Sequence, residues 1–180
     1  MKSIKTKKMV MVAVFAAISF VLQMIAPFPK VGGFLEIEFS DLPALIISFA
    51  YGPVSGVFVE LFKNLLHCTM TSTGFVGEFA NFVVNGIFVA TAGVIYSHKK
   101  TFRIAIASLI YATIAMAIAG VFVNLYIMLP MFKIPAELRF GLALGTILPF
   151  NLVKGVVTSV ITILIYKRIS PIIKFSGGEK

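Results

Sequence analysis

Between Arg103 and Lys133 the chain runs for 29 residues without a charged side chain. A helix of that length, at about 1.5 Å per residue, outreaches the ~30 Å hydrocarbon layer of a bilayer. In lipid a segment must satisfy its own backbone polar groups, which a helix does internally. The run therefore reads as a membrane-crossing helix, and the rest of the chain must be compatible with it. Composition agrees. Charged residues are 13% of the chain and hydrophobic ones 59%, with mean hydropathy +1.01, whereas a soluble domain carries about 25% charge. One core of this size cannot hide that much apolar surface, so the solvent is lipid.

Glycine, proline and short polar stretches divide the chain into six predicted helices, at about 9–27, 41–51, 53–70, 78–97, 103–129 and 142–168. They form a single all-α membrane domain over 1–172, followed by a mobile tail at 173–180. Asp41 is placed as the N-cap of the second helix, with Pro43 tolerated in its first turn, and Gly52-Pro53 breaks it from the third. At about 11 residues the second helix is too short to span alone. The first apolar stretch exceeds a signal-peptide core of about 7–15 residues and lacks a small-x-small cleavage site, so it is expected to stay as a helix.

The net charge of +9 does not indicate nucleic acid, because the basic residues flank apolar runs instead of forming a soluble patch. With the N-terminus inside, Lys2, Lys5, Lys7, Lys8, Lys99, Lys100, Arg103, Lys167, Arg168, Lys174 and Lys180 share the inner side, against Lys30, Lys133 and Arg139 outside. The positive-inside bias thus predicts six spans with both termini inside. A single cysteine, Cys68, excludes an internal disulfide, and Cys68 with His67 falls short of the usual four zinc ligands.

Polar side chains inside the apolar runs are the candidate site. A lysine near a helix centre costs about 2.5–3.5 kcal/mol on insertion scales, so it must face protein or water. Asn151, Lys154 and Thr158 share one helical face; so do Glu60, Lys63, Asn64 and His67, and so do Glu78, Asn81 and Asn85. Asn124 adds a fourth helix. In the predicted topology these stripes share the depth between the outer surface and the midplane, as a cavity open to the outside requires. Other roles stand beside this one. Asn64, Asn81 and Asn85 can bond neighbouring helices, Glu60 and Lys63 can neutralise each other, and His67 can sit in a wet interface. Lys154 has no acid within a turn on its own helix, so its partner is a carboxylate elsewhere or a ligand carbonyl. Ala13 and Ala17 form a small-xxx-small pair suited to close approach of another helix, inside or outside the chain.

The chain has no P-loop, so it does not hydrolyse ATP by that route. A membrane enzyme would use Glu60, Lys63 and His67 as an acid/base cluster, but no nucleophile or metal set accompanies them. A secondary transporter is usually built from internal repeats, and none is visible here.

The run E-F-S-D-L-P-A-L-I-I-S-F-A-Y-G-P-V-S-G-V-F-V-E-L-F-K-N-L-L-H at 38–67, T-S-T-G-F-V-G-E-F-A-N-F at 71–82 and N-L-V-K at 151–154 resemble the riboflavin-specific S components of energy-coupling factor (ECF) transporters. With the A-x-x-x-A of the first helix, the resemblance covers nearly the whole chain. It implies a six-helix subunit of a bacterial cell membrane, without enzymatic activity or cofactor of its own. Its cargo would be riboflavin, or FMN, taken from the outside; an S component for thiamine, biotin or another vitamin is the alternative. The implied partners are a transmembrane coupling subunit, docked at Ala13 and Ala17, and two ATPase subunits. The resemblance assigns the flavin ring contacts to Asn124, Asn151 and Lys154, with Phe34 and Leu35 covering the ligand. Thr71, Thr73, Gly74, Glu60, Asn64 and Asn85 are candidates for the ribityl chain. The chemistry is consistent: the flavin pyrimidine edge alternates carbonyl acceptors with an N–H, an amide offers a donor and an acceptor, and lysine offers donors.

Overall fold

A computed structural model describes residues 2–25, 35, 37–70 and 74–177. Six helices account for nearly all of them, with no strand among the described residues: α1 (Lys2–Met24), α2 (Asp41–Tyr51), α3 (Pro53–His67), α4 (Gly74–His98), α5 (Phe102–Met131) and α6 (136–177). Four helices, α1, α4, α5 and α6, are long and apolar enough to cross a membrane.

The apolar side chains explain why these helices stay together. In α1, Val12, Ala16, Ser19 and Gln23 form an inward stripe, while Met9, Val10, Val14, Ile18 and Val21 are exposed. The outward face of a water-soluble helix would be polar; here it is aliphatic, as lipid contact demands. The exposed phenylalanines and isoleucines of α3, α4 and α5 repeat the pattern.

The short helix α2 is the most enclosed. Asp41, Pro43, Ala44, Leu45, Ile47, Ser48, Phe49 and Ala50 are all buried, and α1, α3, α4 and α6 pack around it. Its 11 residues give about 16 Å, too little to span but enough for a core helix. It ends at Gly52, whose φ of 96° lies where other residues are strained, and Pro53 opens α3 with the preset φ of a first helical position. The expected Gly-Pro break is thus present. The expected N-cap role of Asp41 is not: Asp41 is already helical, no side chain caps the helix start, and its carboxylate is used elsewhere.

As expected, α5 ends beside Pro130 and α6 runs through Pro149; what the sequence does not announce is a widened turn ahead of each. Pro130 and Pro149 each follow a five-residue π-helical turn, Asn124–Met128 and Ala143–Ile147, and each is preceded by a leucine. The Leu129 N–H bonds to the Asn124 carbonyl and the Leu148 N–H to the Ala143 carbonyl, five residues back in both cases. Proline lacks an N–H and its ring crowds the carbonyl four residues earlier; the wider turn relieves both problems, and α6 continues past Pro149 while α5 ends one residue after Pro130. The last helix consequently begins at Ala136, not near 142, and continues to Gly177, beyond the predicted end at 168 and into the stretch read as a tail. Likewise α1 starts at Lys2 rather than 9.

Candidate functional site

The π turns set the geometry of α5 and α6 where they face each other. Asn124 opens one turn and Asn151 follows the other by four residues. Each amide donates to its own helix, Asn124 Nδ2 to the Gly120 carbonyl at 2.8 Å and Asn151 Nδ2 to the Ile147 carbonyl at 2.9 Å. Gly120 is also the point of contact between the helices, since a Cβ there would lie 2.5 Å from Asn151 Nδ2. Asn124 and Asn151 are thus held on either side of one glycine, both buried. Beyond this bond each amide retains one N–H donor and its carbonyl acceptor.

Lys154, one turn beyond Asn151, links this pair to a buried charge cluster. Its Nζ lies 3.1 Å from Asp41 Oδ2 and 3.4 Å from Glu38 Oε1. Asp41 Oδ1 is 2.9 Å from Lys63 Nζ, which also pairs with Glu60 Oε2 at 2.7 Å and donates to Ser40 Oγ at 3.0 Å. Asn85 donates to Asn81, and Asn81 to the same Glu38 oxygen. Three carboxylates and two ammonium groups, none more than 5% exposed, therefore occupy the region where α2, α3, α4 and α6 converge. Burial of such charges is tolerable only with partners, and the cluster supplies them. Lys154 keeps one N–H beyond its two carboxylates.

The predicted residues thus divide. Asn124, Asn151 and Lys154 come together, and Leu35 lies beside them, packed with Leu129 and Ile147 from the two proline-associated turns. Glu60 pairs with Lys63 through Oε2, one of the roles open to it, while its Oε1 has no partner among the described residues. Asn85 reaches the cluster through Asn81. Asn64 donates to the Glu60 carbonyl at 2.8 Å and lines a different feature, a crevice of about 230 Å³ between α3 and α4 with Leu61, Leu65, Phe79 and Phe82. Gly74 opens α4. Phe34, Thr71 and Thr73 lie outside the described residues. His67 Nδ1 is 3.0 Å from Glu78 Oε1, and Gln23 donates to the other Glu78 oxygen, so this group ties α1, α3 and α4 together. Ala13 and Ala17 are exposed on α1, whereas Ala16 carries the internal packing.

Sequence reasoning left the carboxylate partner of Lys154 unnamed; the structure identifies it as Asp41 together with Glu38. A signal was available. The chain has only 7 acidic residues, and a lysine inside an apolar helix must find one of them.

Comparison with known proteins follows the same lines. Residues 7–166 match the family described as the substrate-specific component of ECF transporters. The riboflavin transporter RibU of Staphylococcus aureus is 36% identical over 178 residues, covering 94% of each chain. The riboflavin transporter FmnP of Bacillus subtilis is 34% identical, over 93% of this chain and 94% of that one. A solved S component of a bacterial ECF transporter superposes with a TM-score of 0.82 at 36% identity, covering 94% of this chain and 99% of the other. ThiT from Listeria monocytogenes shares the fold alone, with a TM-score of 0.62 at 18% identity over 94% and 97% of the two chains.

Proposed function

This chain belongs to the substrate-specific components of ECF transporters, and from that premise we propose that it captures riboflavin for uptake, using Asn124, Asn151 and Lys154 to read the polar edge of the flavin ring. The observation that carries the reading is the approach of Asn124 and Asn151 across α5 and α6 at Gly120, with Lys154 one turn beyond Asn151 on α6, in a chain 36% identical to a riboflavin transporter along 94% of its length. The donors and acceptors left over on the two amides, with the spare N–H of Lys154, complement a ring edge that alternates C=O and N–H. Leu35, Leu129 and Ile147 supply the apolar wall that a flat aromatic ligand needs.

The finer architecture follows the same reading. The six helices lie in a bacterial cell membrane with both termini inside and the ligand site toward the outside; the basic residues flanking α1, α4 and α6 support this orientation. A transmembrane coupling subunit docks on the exposed Ala13 and Ala17 of α1, whose lack of long side chains allows close helix contact. Two ATPase subunits supply the energy, in keeping with a chain that carries no P-loop.

The test is direct. The detergent-purified chain, incubated with riboflavin and passed through a desalting column, retains the yellow flavin absorbance at one equivalent, and excess thiamine or biotin does not displace it. Lys154→Met keeps the elution profile of a folded protein and weakens riboflavin binding tenfold or more. Retention of thiamine instead of riboflavin, or unchanged affinity in the Lys154 variant, would refute the assignment. Displacement by FMN at similar concentration would add the phosphate ester to the cargo.

A further inference from the structure

The crevice of about 230 Å³ lies where two lipid-facing helices separate. Leu61, Asn64 and Leu65 line it from one face of α3, and Glu78, Phe79 and Phe82 from one face of α4. Leu65 and Phe79 form an exposed rim, and Phe75 extends it by stacking on Phe79 with ring centroids 6.2 Å apart. Asn64 and Glu78 form the inner wall, only 3% and 6% exposed. None of the side chains assigned to the flavin ring borders this space.

The walls decide what fills it. An ordered water needs two to four polar partners, and nearly all of this lining is apolar. Left unfilled, the lining would forfeit its dispersion contacts on one side. The aliphatic and aromatic surface around the rim meets lipid, so an acyl chain is the occupant at hand.

The inner wall narrows the choice of lipid. Both Glu78 oxygens are engaged, one by His67 and one by Gln23. Asn64 Nδ2 is committed to the Glu60 carbonyl, while Asn64 Oδ1 is buried with no partner among the described residues. A buried acceptor left unpaired costs free energy, so the crevice calls for a donor. Asn64 lies three residues before His67, where α3 ends, which is about 4–5 Å along the axis. A lipid phosphate drawn to that depth would give up its hydration and lie near the Glu78 carboxylate, a like charge. A glycerol hydroxyl meets neither penalty and donates a hydrogen bond.

We propose that the crevice between α3 and α4 is a lateral lipid site for a neutral, hydroxyl-headed glycerolipid, with one acyl chain between the two helices and the head hydroxyl donating to Asn64 Oδ1. The site is separate from the cargo site, and its test needs no riboflavin.

The full chain is placed in phosphatidylcholine nanodiscs containing a little diacylglycerol whose acyl tail carries a diazirine, and is then illuminated and mapped by mass spectrometry. Adducts are expected on Leu61, Leu65, Phe79 or Phe82 at about threefold or more over Ile110, Ile114 and Ile118, which are comparably exposed on α5. Unlabelled dioleoylglycerol removes them, and phosphatidylglycerol with the same tails does not. Asn64→Leu deletes the acceptor, and the advantage of the diacylglycerol probe over a phosphatidylcholine probe of equal tails is expected to fall about threefold to fivefold, as the loss of one hydrogen bond implies. Leu65→Trp narrows the crevice from its rim and is expected to cut adducts there severalfold while those on α5 stay constant. Adducts spread evenly over α3, α4 and α5, equal competition by phosphatidylglycerol, an unchanged head preference in Asn64→Leu, or undiminished labelling in Leu65→Trp overturns the proposal. If Asn64→Leu does not fold, the competition and the half-exposed Leu65→Trp decide the question.

Discussion

The two halves of the polar interior use their hydrogen bonds differently. Around α2, α3 and α4, polar groups bind mainly across elements: Lys63 of α3 reaches Ser40 and Asp41, and Gln23 of α1 and His67 of α3 both address Glu78 of α4. Across α5 and α6, the amides of Asn124 and Asn151 bond back to their own helices, one turn earlier. Cross-linking bonds hold elements together and leave little to offer a ligand. Self-directed bonds fix the orientation of a side chain while leaving a donor and an acceptor free. In the function proposed above the first half is a brace and the second a reader, with Lys154 at the junction.

Breaking the brace gives the largest effect. Lys63→Met leaves Glu60 without a cation and halves the counter-charge on Asp41; removing one partner of a buried pair costs about 3–5 kcal/mol. Thermal unfolding in detergent is expected to show a strongly lowered midpoint or no folded protein. A stability equal to wild type would mean that α2 does not depend on this lysine. Disturbing the reader acts on binding instead. Gly120→Ala sets a methyl 2.5 Å from Asn151 Nδ2, which must push the amide aside, and riboflavin titration is expected to show about a fivefold to tenfold loss in a protein whose midpoint moves little. A larger stability loss than binding loss would erase the distinction between the halves. The smallest effect belongs to Thr113, which bonds the Leu109 carbonyl and lies 3.3 Å from Ser159 Oγ. Interhelical bonds of this sort in membranes average about 0.6 kcal/mol, so Thr113→Val should lower the midpoint slightly and leave riboflavin affinity within about twofold.

These contrasts also show what the amino-acid sequence discloses. Asn124, Asn151 and Lys154 stand out because an amide or ammonium in an uncharged run must find a polar partner in protein or ligand, and the limits of α2 follow from Asp41 and Gly52-Pro53. The start of α6 was hidden. Residues 131–140 carry Lys133, Glu137 and Arg139, and polarity was taken for a connection although Pro135-Ala136-Glu137 has the makings of a helix start. The two π turns were hidden for a different reason: nothing in Leu-Pro marks a widened turn ahead of it, and such a turn depends on the whole helix being held by its neighbours. Glu38 was the hardest to see, since a carboxylate in a connection is ordinarily solvated, and only the folded chain brings it to a lysine 116 residues away.

The enclosure of α2 has a consequence for biosynthesis. A segment this short, headed by Asp41, has little tendency to enter the bilayer alone, but Gly52-Pro53 joins it directly to α3, which carries the countercharge Lys63. Neutralised as a hairpin, the two can leave the insertion machinery together. The second cation, Lys154, emerges about ninety residues after Lys63, so Asp41 gains its second counter-charge and Glu38 its only ammonium partner among the described residues when the final helix arrives, and a truncated chain would leave both carboxylates short of a cation.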